Sequence, residues 1–268
     1  MSSSEAGRRR VLVTGAASGL GAALTAAFRA RGDEVLATDL EPPTGDADGL
    51  RLDVTSDDDW AAALAAVEER WGGLDVLVNN AGVAGGGRID VCTLDEWRWI
   101  TEINLFGVVR GVRTFTPMLK GQGSGHIVNV ASLAGLVHPP GMASYNAVKA
   151  AVVALSETVG HELAPYGVRC SAVCPSYFRT NLTASMRGSD PDVGAKVAAM
   201  VEQSTITAEQ IASAVLAGMD ADEDVIVPDD PARFAVAMKR DAREAYDTEM
   251  RRTAARMKER AQEGTPRA

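Results

Sequence analysis

Residues 9–31 read RRVLVTGAASGLGAALTAAFRAR, and the fold follows from this stretch. Arg9 to Thr14 is a short apolar run of strand type, GAASGLG is a glycine turn, and Ala22 to Arg31 is rich in helix formers. Strand, glycine turn and helix in this order form a phosphate-binding arrangement. Gly15 allows the tight turn, Gly19 lets the backbone approach a pyrophosphate, and Gly21 permits close packing behind it. Ser18 and Leu20 complete the loop, and the helix amino terminus faces the anion.

The next strand, Glu34 to Thr38, ends at Asp39, about 20 residues beyond the loop, where a carboxylate accepts hydrogen bonds from the hydroxyls of an adenosine ribose. A 2'-phosphate there would meet a negative charge. Ser18 and Leu40 supply no cation to neutralise it, so the reading is NAD rather than NADP. Farther along, the runs VLVT, EVLAT, LRLDV, DVLVNN, HIVNV, VRCSAV and VIV alternate with amphipathic or alanine-rich segments. That pattern predicts an α/β fold, a Rossmann-like doubly wound parallel sheet in a single domain covering 9–228, with a helical substrate lobe near 176–205.

Catalytic chemistry is suggested by SYNAVKAAVVALSETVGHEL, residues 144–163, whose periodicity is helical. Tyr145 and Lys149 are four apart and share one helix face. Ser132 precedes them at the end of the apolar run HIVNVAS. A free phenol titrates near about 10, and a neighbouring ammonium stabilises phenolate, so the lysine is expected to lower the tyrosine pKa. Ser132 is then placed to hold the reacting oxygen.

Taken together, Thr14 through Gly21, Asp53-Val54, Asn79-Asn80-Ala81-Gly82, Asn104, Ser132, Tyr145-x-x-x-Lys149 and Pro175 through Thr180 resemble the short-chain dehydrogenase/reductase family. The resemblance implies an oxidoreductase that interconverts a secondary alcohol and a ketone, with Tyr145 as acid or base. It implies that Asp53 and Val54 contact adenine, and that Asn80, Ala81 and Gly82 shape the cofactor floor. Asn104 would bend its helix and connect, through a water, to Lys149. Pro175, Ser176, Phe178 and Thr180 would flank the nicotinamide. Two departures stand out: Pro175-Ser176 where the family usually has Pro-Gly, and Cys170-Ser171 where a hydrophobic residue and asparagine are common. The resemblance also implies a homotetramer or homodimer built on the helices of Asn104 and Tyr145. A 3-oxoacyl thioester reductase and a non-catalytic nicotinamide-binding sensor or scaffold are the alternatives.

Three irregular segments, Gly85 to Thr93, Leu133 to Ser144 and Ser176 to Thr205, fall at the carboxyl ends of strands, where open sheets bind ligands. Leu133, Met142, Tyr177, Leu182 and Met186 are the candidate substrate contacts, with His138 added because loops carry function. Their character favours an apolar small molecule, such as a ring-bearing or medium-chain alcohol. The tail, 229–268, reads as one long or two short helices with a narrow stripe of Phe234, Met238 and Met250. It is a packed element, a solvated helix, or a lid or subunit arm.

Composition sets limits. A net charge of −9 argues against nucleic acid as a partner, and no apolar run reaches membrane-spanning length in this 268-residue chain. Cys170 and Cys174 are about 13 Å apart on one strand, beyond disulfide reach. Three cysteines and three unclustered histidines fit a reduced, metal-free, cytoplasmic protein.

Overall fold

The computed structural model describes residues 8–42, 49–181 and 186–263. Seven strands form one wholly parallel sheet: β1 (Arg10–Thr14), β2 (Glu34–Asp39), β3 (Leu50–Arg51), β4 (Val76–Asn79), β5 (Gly125–Val130), β6 (Val168–Val173) and β7 (Val225–Ile226). Their spatial order is β3-β2-β1-β4-β5-β6-β7. Side chains alternate along each strand, and both faces are covered, so both alternations are apolar. Leu12, Leu36, Leu77 and Ile127 face one layer with Trp60, Phe115 and Val152. Val11, Val13, Val35, Val78 and Val128 face the other with Leu24, Phe28, Ile211 and Val215.

The first layer comes from α2 (Asp57–Trp71), α4 (Gly107–Gln122) and α6 (Ala143–Leu163); the second comes from α1 (Gly19–Ala30) and α8 (Ala208–Asp220). α2 starts cleanly because the Ser56 side chain accepts from Asp59 N and three aspartates occupy its first turn. LRLDV is shorter as a strand than its apolar run suggests: only Leu50 and Arg51 pair, with Thr38 and Asp39. The long helical stretch around Asn104 is interrupted. α3 (Leu94–Thr101) passes through a π turn, Glu102–Phe106, before α4 begins. Shorter elements are α5 (Ala134–Val137) and α7 (Pro191–Glu202).

The tail forms two helices, α9 (Asp230–Asp241) and α10 (Arg243–Glu263). Its expected stripe is corrected: Phe234 is 71% exposed, whereas Ala232 and Tyr246 are buried. Met257, rather than Phe234, joins the cluster containing Met142 and Tyr145. No helix among the described residues is long and apolar enough to cross a membrane.

Candidate active site

β1 lies between β2 and β4: the chain runs from β1 out to β2 and β3 on one side and returns to β4 on the other, and this reversal opens a crevice at the strand carboxyl ends. A cavity of about 890 Å³ occupies that crevice. Gly15 (φ +66) and Gly19 (φ +53) take the left-handed conformation that turns the chain from β1 into α1. A Cβ on Gly21 would collide with the Gly15 carbonyl oxygen, which explains a glycine behind the loop rather than on its surface. The first turn of α1 holds no acidic residue, and the Ser18 side chain makes no capping bond, so the helix end is suited to an anion.

The loop after β4 is locked to this turn. Thr14 Oγ1 accepts from Asn80 N and Ala81 N, each at 3.0 Å, while Asn80 Nδ2 donates to Thr14 O at 2.8 Å. Asp39 joins the same structure: its carboxylate accepts from Ala17 N at 2.9 Å and borders the cavity beside Leu40. Asp53 accepts from Thr55 N (2.9 Å) and Thr55 Oγ1 (2.7 Å) and lies with Val54 on the same wall. On the opposite side, Pro175, Ser176, Phe178 and Thr180 follow β6, and Thr180 Oγ1 approaches the Gly19 turn.

Ser132 leaves the end of β5, and Tyr145 and Lys149 enter from the first turns of α6; all three line the cavity. Ser132 Oγ accepts from Ala134 N at 3.1 Å, and its side chain acts on the Tyr145 hydroxyl. Lys149 Nζ donates to Val130 O at 2.8 Å and lies 5.9 Å from the Tyr145 ring centre. The expected lowering of the phenol pKa is not what the geometry gives. Burial pushes Tyr145 up to about 12, with the Ser132 hydrogen bond pulling the other way. Burial also takes Lys149 down to about 8, because each charged form is desolvated.

Asn104 is fully buried in the π turn. Its Oδ1 accepts from Val83 N (2.8 Å) and its Nδ2 donates to Val83 O (2.9 Å), so its side chain fixes the segment that follows Gly82. Leu133, Met142, Tyr177 and Met186 line the cavity. His138 is a correction: it is not among the lining residues, and both ring nitrogens face elsewhere, Nε2 to Gly135 O (3.0 Å) and Nδ1 to Lys239 Nζ (2.9 Å). Leu182 lies outside the described residues.

The Ser176 departure has a physical role. Its N and Oγ donate to the Asp229 carboxylate at 2.9 and 2.6 Å, which turns the hydroxyl toward the root of α9. Sequence reasoning missed Trp99 and Ile103 from the α3–π segment, and Val197 and Val201 from α7, all on the cavity wall. The signal was present as amphipathic periodicity, but periodicity does not say which cavity a face covers. Among the described residues no cluster of three or more His, Cys, Asp or Glu could hold a metal ion.

A parallel sheet with a dinucleotide cradle at its switch point and a Ser-Tyr-Lys set beside it defines an oxidoreductase of the CH–OH type that uses a nicotinamide dinucleotide. The chain belongs to the short-chain dehydrogenase family, whose model matches residues 9–190. It is 39% identical over 232 residues to the 2-(R)-hydroxypropyl-CoM dehydrogenase of Xanthobacter autotrophicus, covering 80% of this chain and 92% of that protein. It is 37% identical over 194 residues to the trans-4-hydroxycyclohexanecarboxylate dehydrogenase of Sinomonas cyclohexanicum, covering 66% and 74%. Among solved structures, a short-chain dehydrogenase/reductase from Burkholderia phymatum in complex with NAD superposes with a TM-score of 0.80 at 28% identity, covering 89% of this chain and 95% of that one. One from Burkholderia cenocepacia in complex with NADP gives 0.76 at 27%, covering 90% and 97%.

Proposed function

We propose that the protein is an NAD(H)-dependent dehydrogenase of an apolar, ring-bearing secondary alcohol, or the reductase of the matching ketone. The observation that carries the proposal is one continuous cavity with the Asp39 carboxylate at one end and Ser132, Tyr145 and Lys149 at the other. The glycine turn fits a pyrophosphate, because Gly15 and Gly19 turn the chain in left-handed conformations into a helix whose amino terminus has no acidic residue and no side-chain cap. Asp39 fits free ribose hydroxyls and repels a 2'-phosphate. The wall around the catalytic set is apolar, and the relatives named above act on small hydroxy compounds, one of them cyclic.

The dinucleotide supplies or accepts the hydride when bound. The chain's own residues handle the proton and the geometry. Ser132 Oγ and Tyr145 Oη together hold the substrate oxygen. Tyr145, kept protonated by burial, is ready to donate to that oxygen in reduction, and it must first lose the proton to act in oxidation. Lys149, anchored on Val130 O, places a cation beside the phenol and would hold the nicotinamide ribose. Asn104 keeps the 83 segment in register under this assembly.

The test is binding and turnover with both dinucleotides against alicyclic alcohols, steroids, polyols and 3-hydroxyacyl thioesters. NADH should bind at least about tenfold more tightly than NADPH, and Asp39→Ser should erase most of that difference. Equal affinities in the wild type would overturn the NAD assignment, and a polyol or thioester preference would overturn the substrate class.

A further inference from the structure

The loop 133–142 joins the two groups that must meet at one oxygen, Ser132 before it and Tyr145 after it, and its Val137, Pro139 and Met142 line the cavity. It begins with α5, a single short turn whose last carbonyls have no helical partner. Those carbonyls are satisfied from the far end of the chain. Lys239 Nζ, on α9, donates to Leu136 O, and Tyr246 Oη, on α10, donates to Val137 O. The same ammonium faces His138 Nδ1 at 2.9 Å, and His138 is a non-glycine residue at φ 55, a conformation that persists only when its surroundings hold it. Tyr246 is 5% exposed. Met257 lies against Gly141 and packs with Met142 and Tyr145. At its root, the extension grips the segment that follows β6 through Asp229 and Ser176.

We propose that Lys239 and Tyr246 are positioning residues for the reaction proposed above: they hold the 136–138 backbone so that Val137 and Met142 present a fixed wall to the substrate. The proposal rests on that reading of the cavity. The glycine turn and Asp39 are carried by β1 and β2, whereas Lys239 and Tyr246 act on the carbonyls of Leu136 and Val137, so loosening the clamp should weaken substrate binding while sparing the cofactor.

The experiment uses the full chain with Tyr246→Phe, Lys239→Met and the double variant, read by hydrogen exchange and by steady-state kinetics on the best alcohol. Exchange in 133–142 should rise about tenfold while the strand amides are unchanged, because a local rather than a global opening is made easier. KM for the alcohol should rise about three- to tenfold, with kcat within about threefold and NADH affinity within about twofold. Unchanged exchange in 133–142 would overturn the clamp. So would faster exchange of the strands with a parallel loss of NADH affinity, which is the behaviour of a merely structural contact. Absence of turnover by the wild type would instead defeat the functional reading, and the exchange rates would still decide the clamp.

Discussion

Tyr145 is buried among apolar neighbours, so its neutral form is favoured well above the range of a free phenol even though Ser132 pulls the other way. This asymmetry separates the two directions of the reaction. Reduction uses the form already present at neutral pH, whereas oxidation needs a phenolate that becomes more populated as pH rises toward about 12. The expected outcome is that kcat/KM for oxidation climbs by up to about tenfold per pH unit from pH 7 to 9, while that for reduction does not climb. A flat oxidation profile over that range would mean that another group limits proton transfer. Tyr145→Phe should lower turnover by about a thousandfold or more and leave the NADH dissociation constant within about twofold; fluorescence titration and initial rates check the two halves separately. The spacing of Tyr145 and Lys149 was legible because a helix converts a separation of four into adjacency. The direction of the phenol shift was not, because desolvation depends on residues far apart in the chain. His138 was misplaced for a related reason: its loop location was evident, but the lysine that turns it lies a hundred residues later.

At the scale of elements, α9 shows how one departure from a family pattern can be linked to another. Asp229 caps the helix by accepting from Ala232 N at 2.9 Å, and the same carboxylate takes both donors of Ser176. A serine after Pro175 and an added helix are therefore two halves of one contact. Asp229→Ala removes the cap, worth about 1 kcal/mol, and leaves partly buried Ser176 donors without their partner, worth about 1–3 kcal/mol more. Urea unfolding should record a total loss of about 2–4 kcal/mol, with Asp229→Asn losing less; a loss under about 0.5 kcal/mol would deny the contact structural weight. The helical character of the tail was readable from its composition, but its packing face was not. Phe234 carries the strongest apolar signal and points to solvent, because burial is decided by the carbonyls of α5 and the gap beside Gly141. The π turn has a fainter sequence trace: Asn104 is a mediocre helix former, and its amide is engaged across the chain by Val83 rather than along its own helix.

Across the whole molecule, the two edges of the sheet differ in kind. The carboxyl edge opens into the cavity, while the amino edge is a polar belt in which Arg9 pairs with Asp33, Arg10 with Asp75 and Arg169 with Asp222. His126 is buried beneath that belt at 3% exposure. Ser171 Oγ donates to Glu223 O at 2.7 Å, so its proton is committed, and His126 Nε2–H must donate to Ser171 Oγ across their 2.8 Å contact. Nδ1 is then an unprotonated acceptor with no hydrogen-bond partner among the described residues. Protonating it would place a cation in a desolvated site near Arg169 and Arg9, and these effects take its pKa down to about 3. The unfolded chain takes up this proton near the ordinary value of about 6.5, so the folded state binds fewer protons between those limits. Its contribution to stability is complete above about pH 6.5 and is lost as pH falls toward 3, by up to about 1.4 kcal/mol per unit. Urea midpoints at pH 7 and pH 5 should therefore differ by the equivalent of up to about 2 kcal/mol. His126→Asn, which can still donate to Ser171, should be less sensitive to acid over that interval even if it is less stable at pH 7. An equal slope in the variant would place the acid sensitivity in the carboxylates of the belt instead.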